Sequence, residues 1–204
     1  PQIFDSEIEM FQNEYRQVNK NSNFIADFGV TSGYQSSLPG SKKNSIGHLF
    51  SKFDIDLNFE NYSNSKLNFY FESVTNDTFL KVFQNNLIKS SVKPNSTSSL
   101  NSGFKLILDN EDHNFDAGMQ VYETLSGAES DRYQYELPYF SYSTTFLSQL
   151  ADGTFNFSSS GSNVLNNTNV LKTSINNDLS YSSLDYFSNM GFKNNYGMYF
   201  KNLN

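Results

Sequence analysis

The sequence predicts an all-β fold, an antiparallel up-and-down transmembrane β-barrel to which this chain contributes about ten strands. Apolar and polar residues alternate with a period of two along most of the chain, a pattern that is typical of strands and does not fit a helical stripe. Several predicted strands exceed the length of about 5–6 residues that is usual in globular proteins. The apolar–polar pattern alone would also fit a half-buried soluble sheet. Short and longer connections follow one another in turn along the chain, however, and this favours a membrane barrel.

The composition indicates a folded, strand-rich chain. Of its 204 residues 37% are hydrophobic, yet 16% are aromatic, supplied by 20 Phe and 13 Tyr. A disordered chain would be poor in aromatic residues, so disorder is excluded. The net charge of -7 and the lack of a basic run argue against nucleic-acid binding. Because Cys is absent, these residues offer no disulfide and no thiolate metal site, and no apolar run approaches the length of a membrane-spanning helix.

The predicted strands follow the alternation in chain order. Residues 45–60 give the clearest pattern, since the odd positions from 49 to 59 carry no charge while the even positions from 52 to 60 carry Lys, Asp, Asn and Glu. The strands are predicted at 6–17, 23–34, 45–60, 65–75, 99–109, 113–125, 131–146, 153–160, 169–181 and 184–203.

Each strand presents one apolar and one polar set of side chains, because successive side chains point to opposite faces. The apolar set is predicted to face lipid and comprises Phe53, Ile55, Leu57, Phe69, Phe71, Phe115, Met119, Tyr133, Tyr135, Phe192, Met198 and Phe200. The polar set is predicted to line a hydrated lumen and comprises Lys52, Asp54, Asp56, Lys66, Glu72, Lys105, Asp116, Arg132, Glu136 and Lys193.

The connections between predicted strands sort by length. Short ones are predicted at 18–22, 61–64, 110–113, 147–152 and 182–183, and longer ones at 35–44, 76–98, 126–130 and 161–168. If successive strands are antiparallel neighbours, the short turns lie at one end of the sheet and the longer loops at the other. Outer-membrane barrels have this arrangement. The chain begins at Pro1 and ends within a strand pattern, so we expect an internal fragment.

The stretch SDRYQYELPYF, residues 130–140, carries the densest aromatic pattern. Tyr133, Tyr135 and Tyr139 suit the aromatic girdle of a barrel, where a ring sits in lipid and its hydroxyl in water. Pro138 cannot donate a hydrogen bond to a neighbouring strand, so it predicts a bulge or register break. The apolar residues after it fall on even positions, as such a break requires.

No constellation predicts an enzyme, a cofactor or a metal site. A nucleophile–base pair requires a His, and only His48 and His113 are present, without a GxSxG motif. Both fit polar strand or turn positions. The run DNEDH at 109–113 offers oxygen ligands for Ca²⁺ but lacks the glycine and terminal Glu of an EF-hand loop, and it suits a polar hairpin turn.

Several stretches together resemble a known family. They are EYRQ (14–17), SKFDIDLNFE (51–60), VTNDTFLKVF (74–83), SDRYQYELPYFSYS (130–143), GTFNFSSSG (153–161) and GFKNNYGMYFKN (191–202). In this order they resemble the barrel domain of the LPS-assembly protein (LptD) family, also called organic solvent tolerance proteins. The resemblance spans essentially residues 1–204, as a partial barrel domain.

The resemblance implies a barrel of about 26 strands in the outer membrane of a Gram-negative bacterium. It implies insertion of lipopolysaccharide into the outer leaflet through a lateral opening, without catalysis or cofactors. The implied partners are lipopolysaccharide, outer-membrane lipid, an LptE-like lipoprotein plug, and an LptA-like periplasmic bridge that meets an N-terminal domain. Pro1 lies near the region of the family's lateral gate. The alternatives are a porin or TonB-dependent receptor barrel, or a secreted β-sandwich or adhesin module.

Overall fold

A computed structural model describes residues 2–4, 8–34, 40, 42, 44–148, 152–166 and 169–204. Strands make up 68% of the structure and helix 4%, which confirms the all-β class. No helix among these residues has the length and apolarity needed to cross a membrane. Pro1, which the family resemblance puts near a lateral gate, lies outside the described residues.

One antiparallel sheet of eleven strands dominates the fold. Its strands are β1 (Gln2–Phe4), β2 (Glu9–Asn19), β3 (Ser22–Tyr34), β4 (Asn44–Asp56), β5 (Asn64–Val74), β6 (Ser99–Asp109), β7 (His113–Thr124), β8 (Tyr133–Ser148), β9 (Gly153–Asn166), β10 (Val170–Ser183) and β13 (Gly197–Leu203). The strands lie side by side in chain order, and β13 pairs with β10. A separate small hairpin joins β11 (Tyr186–Phe187) to β12 (Lys193–Asn194). In the described residues, one α-helix, α1, spans Phe79–Phe83, and a short 3-10 helix spans Glu129–Asp131.

The register gives the sheet two chemically distinct faces. On β3 to β6, Phe24 pairs with Phe53, Phe53 with Phe69, and Phe69 with Phe104. We call the face that carries these rings the apolar face. The polar face lies opposite and includes the row in which Asp54 pairs with Asn68 and Asn68 with Lys105.

The sheet is not closed into a barrel. Within the described residues, β1 pairs only with β2 and β13 pairs only with β10, so both form edges. The structure therefore supports the antiparallel up-and-down order of the strands, while closure into a barrel stays a prediction.

The predicted ends of two strands, β4 and β9, are wrong by four residues or more. β4 ends at Asp56 because Asn58 takes a left-handed backbone conformation (φ 52), which an extended strand cannot continue through. Leu57, predicted to face lipid, therefore lies in the turn after the strand. β9 runs on to Asn166, where we predicted a loop from residue 161, because Val164 and Leu165 pair with β10.

The predicted strand at 184–203 is interrupted. Gly191 has a φ of 83 and closes the small β11–β12 hairpin, so only residues from Gly197 onward join the large sheet. Phe192 and Lys193, predicted to face lipid and lumen respectively, lie on this hairpin. The tight turn predicted at 182–183 instead lies within β10.

The sorting of connections by length holds over most of the sheet. Residues 20–21 and 110–112 connect strands at one end, while 75–98 and 125–132 connect them at the other. The pattern breaks at the last two connections. At the long-loop end β10 begins only four residues after the last residue of β9, and at the short-turn end the connection 184–196 is long.

The register break predicted at Pro138 is confirmed. The pairing of β8 shifts between Glu136 and Tyr139 on the β9 side and opposite Gly118–Gln120 on the β7 side. The shift turns Tyr139 onto the polar face over Gly118, where a Cβ would come within 2.7 Å of the Tyr139 hydroxyl. The girdle position predicted for Tyr139 is therefore wrong, whereas Tyr135 stays on the apolar face, paired with Val121.

The best-buried core lies on the polar face, beneath a segment predicted as a loop. We call residues 75–98, which connect β5 to β6 and include α1, the inner segment. Its buried apolar residues pack against buried side chains of the sheet and of the 125–132 connection. The cluster comprises Met10, Ile46, Phe50, Phe79, Leu80, Phe83, Leu87, Val92, Leu100 and Leu125.

Candidate functional site

The polar face carries a ladder of charged side chains across its strands. Lys52 Nζ lies 2.9 Å from Asp54 Oδ2, and Lys105 Nζ lies 3.2 Å from Asp116 Oδ2. Glu72 Oε2 accepts a hydrogen bond of 2.7 Å from the Asn101 N–H. These side chains are partly exposed, so each ion pair is only weakly stabilising, and together they form a hydrated surface of mixed charge.

Most residues of the predicted polar set share this face. In the strand register, it brings together Lys52, Asp54, Asp56, Lys66, Glu72, Lys105, Asp116 and Glu136. Lys193 is separate, because it lies on the β11–β12 hairpin and pairs with Asp185 at 2.8 Å. This hydrogen bond from Lys193 lowers the pKa of Asp185. Whether the face lines a lumen stays a prediction.

The apolar face carries no charged side chain across the middle of the sheet, although β9 and β10 place the neutral polar residues Ser159, Asn163 and Asn177 on it. It brings together ten of the twelve residues predicted to face lipid, since Leu57 and Phe192 lie outside the sheet; the ten are Phe53, Ile55, Phe69, Phe71, Phe115, Met119, Tyr133, Tyr135, Met198 and Phe200. On the described strands, carboxylates occur on this face only at the ends of β2 and β7, as Glu9 and Glu123.

Aromatic rings run across the apolar face and stay half exposed. The ring centroids of Phe53 and Phe69 lie 6.4 Å apart, and those of Phe69 and Phe104 lie 5.9 Å apart. Phe69 is 39% exposed and Phe71 is 45% exposed. Contacts within the row therefore leave much of each ring uncovered, and the face has room for a further apolar layer.

A second aromatic group lies where β8, β9 and β10 approach the 149–152 connection. The rings of Phe146 and Phe155 stack at 5.3 Å, and Phe155 lies 4.7 Å from Tyr181. Tyr142 lies on the same face, where its hydroxyl is 2.9 Å from His113 Nδ1. Rings with polar tips near the end of an apolar face are typical of a membrane interface.

The inner segment docks on the polar face through Gln12. This side chain is 1% exposed; its Nε2 donates to the Asn86 carbonyl at 2.8 Å, and its Oε1 accepts from the Ile88 N–H at 2.9 Å. The two bonds join β2 to a segment more than seventy residues away in sequence. Gln12 therefore fixes the segment in place beside its apolar contacts.

A buried polar pair lies beneath the inner segment. His48 Nε2 is 3.2 Å from Asp27 Oδ1, and both side chains are 0% exposed. The His48 ring stacks on Phe50 at 4.7 Å and meets Phe79 of α1 at 5.2 Å. Gly29 leaves room for this ring, because a Cβ there would come within 2.6 Å of His48 Cε1. His48 is on the polar face, as predicted, but the segment seals it from water.

The two histidines make separate hydrogen bonds in the described part of the chain. The hydrogen-bond partner of His48 is Asp27, and that of His113 is Tyr142. Residues 110–112 form a hairpin turn in which Asn110 Oδ1 accepts from the backbone N–H groups of Asp112 and His113. In the part of the chain that the structure describes, no three His, Asp or Glu residues come together as a metal site.

Arg132, predicted to line the lumen, instead ties two connections together at the long-loop end. Its guanidinium donates to Asp77 of the inner segment, to Glu123 Oε1 at 3.2 Å and to the Thr124 carbonyl at 3.1 Å. The hydrogen bond to Asp77, together with its charge, raises the pKa of Arg132. Arg132 therefore anchors the root of the inner segment.

Replacing Arg132 with Lys is expected to loosen this root, because an ammonium group cannot make the same fork of hydrogen bonds. We expect a loss of about 1 kcal/mol, since Asp77 and Glu123 are partly exposed. Hydrogen exchange of the amides at 75–79 should accelerate, while amides of the β9–β10 pair keep their protection. Unchanged exchange at 75–79 would contradict the anchoring role.

The sequence held one signal for the inner segment that our predictions passed over. Residues 79–83 (FLKVF) concentrate four apolar residues within a long, polar connection. Such a cluster needs a buried contact, and Phe79, Leu80 and Phe83 find it on the sheet. The apolar–polar pattern of the neighbouring strands does not predict on which face of the sheet the inner segment packs.

Comparisons of the chain with protein-family models, curated proteins and solved structures give no match, so the family resemblance seen in the sequence stays a prediction.

Proposed function

We propose that the chain forms part of the wall of an outer-membrane β-barrel that delivers lipopolysaccharide to the outer leaflet. The observation that carries the proposal is the pairing of a half-exposed aromatic face, charged only at two strand ends, with a charged polar face on one sheet of long antiparallel strands. A membrane wall requires both properties, because one side meets acyl chains and the other meets water.

The chemistry of the two faces favours a sheet in a membrane over a soluble sheet. Isolated apolar side chains on a surface are ordinary, but half-exposed aromatic and aliphatic residues recur on this face from β2 to β8, which is more than a water-exposed sheet normally shows. Lipid supplies the missing layer without a partner protein. The backbone groups pair between neighbouring strands from β2 to β10, as they must where water is absent.

The substrate class rests on the sequence resemblance and on the chemistry of the polar face. Lys52, Lys66 and Lys105 lie on that face among carboxylates and hydroxyls, a setting compatible with phosphorylated sugars in passage. No catalytic step or cofactor is proposed. The proposal carries the family's partners with it: an LptE-like lipoprotein plug in the lumen and an LptA-like periplasmic bridge.

Depleting the full-length protein in its native bacterium tests the proposal. Pulse-labelled lipopolysaccharide is expected to accumulate before the outer leaflet, measured by its loss of accessibility to surface probes. The protein itself should fractionate with the outer membrane and require detergent for extraction. Normal surface delivery after depletion would contradict the transport role, and a monomer stable without detergent would contradict the membrane placement.

A second candidate is a porin, favoured by the inner segment. A segment that covers part of the polar face would narrow an aqueous channel and select among small solutes. Uptake of small hydrophilic solutes separates the two functions. If uptake falls on depletion while lipopolysaccharide delivery continues, the chain belongs to a porin.

A further inference from the structure

The inner segment closes over polar atoms that it leaves unbonded. Asp27 Oδ2 and His48 Nδ1 are buried and have no hydrogen-bond partner among the described residues, although the two side chains contact each other through their other polar atoms. A buried polar atom without a partner costs free energy that water would otherwise recover. The docked arrangement is therefore less favourable than its apolar contacts alone would make it.

The burial of this pair depends on the inner segment itself. Phe79 of α1 lies 5.2 Å from the His48 ring, and both polar residues are on the face that the segment covers. If the segment leaves, water reaches the polar face and hydrates the unbonded atoms. Departure thus recovers a free-energy cost that docking imposes.

Opposing contacts hold the segment in place. Gln12 contributes two hydrogen bonds, to the Asn86 carbonyl and from the Ile88 N–H. Phe79, Leu80 and Phe83 bury apolar surface against the sheet. The free energy gained from these contacts therefore opposes the free-energy cost of burying the unbonded polar atoms. When the segment is released, its two ends stay covalently joined to β5 and β6.

We propose that residues 75–98 are a displaceable plug over the polar face, held by Gln12 and the apolar cluster and biased toward release by the buried Asp27–His48 pair. The inference rests on the proposed barrel wall and adds a gate to it. In the docked state the plug blocks the polar face of β2 to β4 at the long-loop end. In the released state it opens that face to cargo.

Thiol labelling of the full-length protein in lipid vesicles reads the state of the plug. These residues contain no Cys, so a single cysteine can be introduced at each of three places on the sheet. Thr31→Cys lies on the polar face between Met10 and Ile46, two residues of the cluster that the plug covers, and the native residue is 0% exposed. Ser141→Cys lies on the exposed part of the polar face, and Phe53→Cys lies on the apolar face. The probe is a membrane-impermeant maleimide.

With the plug docked, we expect fast labelling of Ser141→Cys, slow labelling of Thr31→Cys and none of Phe53→Cys. Gln12→Ala should raise the rate at Thr31→Cys by about tenfold or more, because two buried hydrogen bonds are lost. Gln120→Ala is the matched control, since that polar-face glutamine bonds Tyr70 and Glu136 rather than the plug. It should leave the rate unchanged.

Substitutions in the buried Asp27–His48 pair are expected to change the labelling rate in opposite directions. His48→Phe alone leaves Asp27 buried without its partner and should speed labelling at Thr31→Cys. Asp27→Leu with His48→Phe replaces both partners by apolar groups of similar shape and should slow labelling below the unsubstituted rate. A purely structural role for the pair would make the double variant at least as open as the single one.

The outcomes separate the plug from the barrel. If Thr31→Cys labels as fast as Ser141→Cys without further substitution, or stays protected in Gln12→Ala, the plug proposal is overturned. If Phe53→Cys labels as fast as Ser141→Cys in the otherwise unsubstituted protein, the barrel placement fails instead. A variant that merely unfolds is recognised because it exposes Phe53→Cys as well, and the remaining variants then decide.

Discussion

Replacing Phe69 with Arg is expected to destabilise the protein in lipid vesicles by about 2–4 kcal/mol, the cost of a cationic side chain at mid-bilayer depth on a barrel wall. Phe69 lies in the middle of β5, and its ring touches the row formed by Phe53 and Phe104. No carboxylate shares this part of the face, so the new charge has no partner. Urea titration of the full-length protein in vesicles measures the loss.

The neighbouring position provides the matched control. Asn68 precedes Phe69 on the same strand but lies on the polar face, where it donates a hydrogen bond to Asp54. Asn68→Arg should therefore cost less than about 1 kcal/mol, because the guanidinium meets a carboxylate and water. Equal losses at the two positions would contradict the assignment of the faces.

A tryptophan at each position separates lipid from a protein layer, because a packed protein sheet would also reject Arg at residue 69. Phe69→Trp fluorescence should be quenched by lipids with brominated acyl chains, relative to the unsubstituted protein. Asn68→Trp should not be quenched. Without quenching at residue 69, another protein surface rather than lipid covers the apolar face.

The strand pattern could be predicted because it depends on local rules. β6 (Ser99–Asp109) begins and ends where predicted, since stretches rich in polar turn residues flank it on both sides. The break at Pro138 could also be placed, because a missing N–H acts at its own position. Once a strand is known, the odd or even number of a residue tells which face of the sheet it occupies.

Features that depend on distant contacts could not be predicted. Gln12 and Asn86 are neutral polar residues in an Asn-rich chain, and nothing local marks them as partners. The docking of the inner segment therefore appears only in three dimensions. This docking also changes the environment of His48. The sequence pattern places His48 on the polar face, but its side chain is completely buried. The strand predicted at 184–203 was wrong for a different reason. Gly191 interrupts it, and the apolar–polar alternation around this glycine gives no local sign of a break.

Replacing Phe50 with Ala is expected to cost about 3–5 kcal/mol, the usual loss for truncating a fully buried aromatic side chain. Phe50 is 0% exposed and stacks on His48 at 4.7 Å beneath the inner segment. Because the truncation removes part of the surface on which α1 docks, hydrogen exchange should rise most at residues 79–87. Urea titration and exchange of the same vesicle preparation give both quantities.

Phe71 is the matched control for this truncation. It is the same residue type near the same end of the sheet, yet it is 45% exposed on the apolar face. Phe71→Ala should cost less than half as much, because lipid refills the space that the ring leaves and no cavity forms. Exchange at 79–87 should not change. If the two truncations cost the same and neither frees the inner segment, then the polar face holds no packed core, and the plug would rest on Gln12 alone.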